Sequence, residues 1–111
     1  MEDLISMSCM SVKNKINSNH REYQFEIFGY DFIIDKYFKV WLIEVNTTPC
    51  LEESSNILKI LLPRMLNDAF SLTINKLFKP KINEYVENIY EVEGYDKNDN
   101  LWEFICDLKF C

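Results

Sequence analysis

Phe25-Glu26-Ile27-Phe28-Gly29-Tyr30-Asp31-Phe32-Ile33-Ile34, followed after a short gap by Val40-Trp41-Leu42-Ile43-Glu44-Val45-Asn46, decides the fold. Both runs are rich in aromatic and β-branched residues, which suit a pleated, half-buried surface. Residues 23–34 are therefore predicted as one strand and 39–45 as a second. Asp35-Lys36-Tyr37-Phe38 between them reads as a turn, so the pair forms an antiparallel hairpin. Asn46-Thr47-Thr48-Pro49 ends the second strand, because proline donates nothing to a ladder.

Side chains alternate faces along a strand. Phe25, Ile27, Gly29, Asp31 and Ile33 are thus expected on one face, and Val40, Leu42, Glu44 and Asn46 on one face of the partner. Trp41, Ile43 and Val45 are expected on the other face, packed on a helix. A loop of residues 36–39 pairs Asp35 with Val40 and sets Asp31 opposite Glu44. Two carboxylates facing each other repel. Three arrangements offset the repulsion: a divalent cation bound by Asp31, Glu44 and the Asn46 amide, an unseen Lys or Arg, or a face that is simply exposed and polar.

Working outward, Leu4, Ile5, Cys9, Val12 and Ile16 recur at helical spacing and predict a helix over 2–16. Asn17-Ser18-Asn19-His20 breaks it. Beyond the hairpin, Ser54 or Ser55 caps a helix that runs to about Phe78. Its wide apolar face includes Ile57, Leu58, Leu61, Leu62, Met65, Leu66, Ala69 and Phe70. Pro63 inside it predicts a kink or two abutting helices. From Pro80 the character changes: residues 81–99 hold Lys81 and Lys97 against six carboxylates. This acidic tail reads as a solvated extension, with a short strand over 101–106 returning to the sheet. The domain reading is 1–80 and 81–111.

The chain has 111 residues and a net charge of −6, which suits one domain and a core of ordinary size. The acidic balance argues against nucleic acid or an anionic membrane as partner. With 2 glycines there is no glycine-rich phosphate loop. No apolar run is long enough to span a membrane, and the start does not resemble a signal peptide. Cys9, Cys50, Cys106 and Cys111 lack metal-site spacing and read as free thiols of a reducing compartment. The single histidine, His20, reads as a solvated loop residue.

The run F-E-I-F-G-Y-D-F over 25–32 with W-L-I-E-V-N-T-T-P over 41–49 resembles the C-terminal signature of the tubulin tyrosine ligase and tubulin tyrosine ligase-like family. The resemblance extends from the first helix to about Pro80, and Leu101-Trp102-Glu103-Phe104-Ile105 loosely matches the closing segment of some members. It implies an α+β fold, the C-terminal part of an ATP-grasp domain, with an antiparallel hairpin packed against helices. It implies that Asp31, Glu44 and Asn46 bind Mg²⁺ and, through it, the phosphates of ATP, with Ile33 as apolar floor near the nucleotide. The implied activity is ATP-dependent ligation of Tyr, Glu or Gly to a tubulin tail carboxylate through an acyl phosphate. Tubulin and a free amino acid are then the partners, and the cytoplasm, at microtubules or cilia, the location. No other catalytic residue is assignable, because the family's phosphate-contacting lysines belong to other segments of the enzyme. The isolated chain is therefore expected to be inactive, and the alternative reading is a truncated module that keeps the fold without the reaction.

Overall fold

The computed structural model describes residues 1–79 and 91–109. The elements are α1 (Glu2–Val12), β1 (Gly29–Ile34), β2 (Val40–Asn46), α2 (Asn56–Leu72) and α3 (Ile74–Leu77). The mix of helices with one antiparallel two-stranded sheet is the α+β arrangement expected from the sequence. Two compact units divide the chain: Met1–Cys50 with Phe104–Cys111, and Leu51–Glu103. Pro80, the expected boundary, and Glu84 and Glu87 of the acidic stretch lie outside the described residues.

In the first unit α1 opens with Glu2 and Asp3, whose charge suits the positive end of the helix dipole. The helix stops at Val12 rather than residue 16. Successive turns follow, closed by Lys15 N–H and Ile16 N–H donating to the Val12 carbonyl at 2.8 Å each. The Asn17 side chain then holds the loop: its Oδ1 accepts from Arg21 N–H at 2.8 Å and from Gln24 Nε2 at 2.9 Å. Residues 23–28 belong to no ladder, and Tyr23 turns at φ 57°, so β1 is half the predicted length. The cause lies on the opposite strand. Gly29 pairs with Asn46, the last residue of β2, and Pro49 stops β2 from supplying partners for residues 23–28.

The hairpin register also differs from expectation near the turn. Ile34 pairs with Val40, and Asp35 N–H donates to the Lys39 carbonyl at 3.0 Å. The loop therefore holds three residues, Lys36 to Phe38, not four. A bulge follows: Phe32 faces Leu42 while Asp31 faces Glu44, which leaves Ile43 without an opposite number. The extra residue reverses the parity of β2. Leu42 thus lies opposite Phe32, and Trp41 lies opposite Ile33. This corrects the expected face of Val40, Leu42, Glu44 and Asn46. Nor is the burial expected of Trp41, Ile43 and Val45 observed, since all three are exposed.

In the second unit Ser55 caps α2, its Oγ accepting from Leu58 N–H at 3.3 Å. The helix passes unbroken through Pro63, and the interruption falls at Thr73 instead. Thr73 leaves helical geometry, at φ −119° and ψ −83°, and its Oγ1 donates back to the Ala69 carbonyl at 2.8 Å. The expected strand over 101–106 is absent; these residues form no ladder. The preceding loop is bound to α2 by side chains. Among the described residues only Arg64, Asp68 and Ala69 are buried, and all three lie on α2. Arg64 Nε donates to Asp68 Oδ2 at 2.8 Å, and its guanidinium donates to the carbonyls of Asp96 and Asp99. Asp68 Oδ2 also accepts from Leu101 N–H at 3.0 Å, and Trp102 Nε1 donates to the Met65 carbonyl at 2.9 Å.

Candidate functional site

The candidate site is built at the open end of the β1–β2 ladder, away from the turn. Asp31 and Glu44 are direct cross-strand partners, and Asn46 follows two positions beyond Glu44. The bulge sits immediately beside this pair, a place where bulges re-aim side chains. Asn46 reaches back between the carboxylates: its Nδ2 donates to Asp31 Oδ2 at 3.0 Å and to Glu44 Oε1 at 3.2 Å. One point thus lies about 3 Å from an oxygen of each acid. In the sequence-level terms, all three residues come together on one face, as their register required.

Gly29 makes this approach feasible. A Cβ there would lie 3.1 Å from Pro49 Cβ and 3.7 Å from Asn46 Cβ. The segment after β2 therefore folds across the start of β1, which any larger residue at 29 would obstruct.

The energetics decide whether the acids need help to coexist. A like-charge cross-strand pair costs roughly 0.2–1 kcal/mol at an exposed site. Two amide hydrogen bonds return a similar amount, about 1 kcal/mol each. The hairpin can therefore fold with the carboxylates held by Asn46 alone. The residue types also suit a hard cation. Two carboxylates and an amide oxygen form an all-oxygen donor set, and Mg²⁺ takes few protein carboxylates and completes its shell with water and phosphate. The amide need only turn over to present Oδ1 instead of Nδ2. Ile33, the fourth expected residue, is exposed on the face of Asp31 and pairs with Trp41 on the turn side of the bulge, not with the acids.

The opposite face of the hairpin is tied to α1. Tyr30 and Phe32 stack with ring centroids 6.0 Å apart. The Tyr30 hydroxyl is hydrogen-bonded to Ser8 Oγ at 2.8 Å and to Cys9 Sγ at 3.6 Å. Burial, opposed by the Ser8 hydrogen bond and reinforced by Cys9 and Cys106, holds the phenol above its ordinary value of 10.0. This anchor fixes the backbone one residue before Asp31. The sequence reading missed it, because Ser8 lies beside the apolar stripe of α1 and not within it.

Residues 1–82 match the model of the tubulin-tyrosine ligase family. The chain belongs to the tubulin-tyrosine ligase family. Among its relatives, tubulin glycylase 3D of Tetrahymena thermophila is 38% identical, over 95% of this chain and 11% of its own length. A tubulin polyglutamylase of Caenorhabditis elegans is 33% identical, over 78% of the chain and 13% of its own length. A protein polyglycylase of Rattus norvegicus is 32% identical, over 67% of the chain and 11% of its own length. The chain thus spans about a tenth of the length of the curated relatives it matches. No solved structure matches this family member.

Proposed function

We propose that this chain carries the metal-binding end of a ligase that attaches an amino acid to a carboxylate of a tubulin tail. Asp31, Glu44 and Asn46 would hold Mg²⁺, and with it the phosphates of ATP. The observation that carries the reading is the convergence of two facing carboxylates on the Asn46 amide. In such a site the cation screens phosphate charge and orients the transfer. Asp31 and Glu44 would supply anionic oxygens fixed by the ladder, and Asn46 a neutral one at the strand end. Ile33 would offer an apolar surface on the same side of the strand. The net chemistry is phosphorylation of the acceptor carboxylate by ATP, then attack by the amine of the added residue, releasing phosphate. The names of the relatives favour glycine or glutamate over tyrosine as that residue. The phosphate-contacting cations would come from other segments of the enzyme, and the place of action would be cytoplasmic microtubules or cilia.

The test uses Mn²⁺ as a paramagnetic stand-in for Mg²⁺. Amide resonances of residues 29–31 and 44–46 should broaden selectively, and Asp31→Asn or Glu44→Gln should abolish the effect. Uniform or absent broadening with a folded chain would exclude the site. Labelled glycine offered to the purified chain with Mg-ATP and tubulin should not be incorporated, because the phosphate-contacting cations would come from other segments of the enzyme.

A further inference from the structure

Ser8, Cys9 and Cys106 gather at the Tyr30 hydroxyl, and the ligase reading uses none of them. Counting protons fixes the direction of each bond. A hydroxyl has one proton to give. Ser8 Oγ gives its own to the Ile5 carbonyl at 2.7 Å, which can only accept. The Tyr30 hydroxyl therefore donates to Ser8 Oγ at 2.8 Å. Its proton is then spent, so in the 3.6 Å contact the Cys9 thiol donates to the phenol oxygen. The run of bonds thus ends at Cys9 on its weakest link, because S–H is a poor donor. A bond made at the Cys9 sulfur leaves the Tyr30–Ser8 anchor in place.

Cys106 meets the same phenol from the far end of the sequence. Its sulfur acts electrostatically on the Tyr30 hydroxyl, and residues from Phe104 onward belong to the compact unit of α1 and the hairpin. Both thiols are free and half-buried. The 104–109 segment joins no ladder, so strand pairing does not account for its place in that unit. Two thiols that bear on one phenol suit a pair in which one sulfur resolves an adduct on the other.

We propose that Cys9 and Cys106 form a reversible thiol–disulfide pair that bolts the 104–109 segment to the helix α1. The oxidant is a small disulfide such as oxidised glutathione. The Cys106 thiolate attacks one glutathione sulfur, the S–S bond breaks, and the other glutathione leaves as a thiolate that takes up the proton Cys106 lost. Cys9 then gives up its proton and attacks the Cys106 sulfur, which releases the second glutathione as a thiol. Two protein thiols become one disulfide, and one small disulfide becomes two thiols. Cys106 reacts first because only a thiolate attacks and the Cys9 proton is held by Tyr30. In a reducing compartment the pair rests as thiols and closes only under oxidant. The pair needs neither nucleotide nor metal, so it stands or falls apart from the ligase reading.

The test uses the whole chain with Cys50→Ser and Cys111→Ser, equilibrated in buffers of oxidised and reduced glutathione. Peptide mapping without reductant should recover Cys9 and Cys106 joined within one chain, and dithiothreitol should part them. Amide exchange in α1 should slow about tenfold or more on oxidation, because the crosslink closes a loop of most of the chain. Adding Cys9→Ser should halt the reaction at a glutathione adduct on Cys106. The proposal is overturned if both thiols persist in the oxidised buffer, if each carries its own glutathione, or if the disulfide joins two chains. It is equally overturned if the crosslinked chain exchanges as fast as the reduced one, or if Cys9→Ser leaves Cys106 unmodified.

Discussion

Asn46 is a neutral residue asked to satisfy two acids, and its substitutions separate the roles of donor and acceptor. Asn46→Asp would place three carboxylates together, costing the hairpin about 1–2 kcal/mol in the absence of cations. Added Mg²⁺ or Mn²⁺ should recover that loss, read as a rise in urea midpoint. Asp31→Asn should do the opposite: the metal-free hairpin stays as stable or gains a few tenths of a kcal/mol, while its response to cations disappears. At Gly29 the constraint is steric. Gly29→Ala brings a methyl to 3.1 Å from the Pro49 ring, and the ring cannot bend away. A loss of about 1 kcal/mol in urea unfolding is expected.

Asp35 gives the pH dependence its sign. The Trp41 indole, with the Lys39 and Tyr37 amides, holds its carboxyl below the ordinary 3.8. A depressed carboxylate stabilises the fold above its ordinary range, and that support is lost as pH falls through the lowered value. Asp35→Asn should therefore flatten the acid limb of the stability curve below about pH 4 and leave neutral behaviour unchanged. Tyr30 acts on the alkaline side. Its raised value means stability is full below pH 10.0 and declines as pH rises beyond it, a decline that Tyr30→Phe should remove.

At the scale of elements, α2 shows what propensity and pattern leave out. Ser55 was legible as a cap, and Ser55→Ala should cost about 1 kcal/mol. Arg64 and Asp68 were not legible. An Arg–Asp pair four residues apart on a helix reads as a surface ion pair worth a few tenths of a kcal/mol. Here it is buried under the carbonyls of residues 96 and 99, partners more than thirty positions away that no local pattern signals. Arg64→Ala would strand the Asp68 carboxylate, costing about 3–5 kcal/mol. Arg64→Lys supplies charge without the planar fork and should recover only part. Pro63 misled in the other direction. Its effect on the helix is tolerated within α2, whereas Thr73 ends the helix by bonding its own hydroxyl back to Ala69. The facing of Asp31 and Glu44 was legible because period-two alternation survives small errors. Residues 23–28 have the composition of a strand and join no ladder, because strand-like composition says nothing about whether a partner strand is there.

For the whole molecule, the division into two compact units separates those effects. Arg64→Ala should abolish amide protection in α2 and residues 96–102, while the hairpin amides exchange as before. Loss of protection across both units would show a single cooperative structure instead. Buried apolar side chains are few among the described residues, Ala69 alone falling in that class. Composition predicted a core of ordinary size, since 48% of the residues are hydrophobic. Count alone does not bury side chains; facing surfaces do, and the outer faces of the hairpin and of α2 remain open in each unit.

The hairpin behaves like a message with a reading frame. The three-residue loop shifts the frame by one relative to a four-residue loop, and the bulge at Ile43 shifts it back before Glu44 is reached. Inserting one residue at the turn, or deleting Ile43, would turn Glu44 and Asn46 to the face of Tyr30 or part Glu44 from Asp31. Making both changes together restores the pairing. Along this stretch, then, length changes are tolerated in compensating pairs, and a single one silences the site without altering any residue in it.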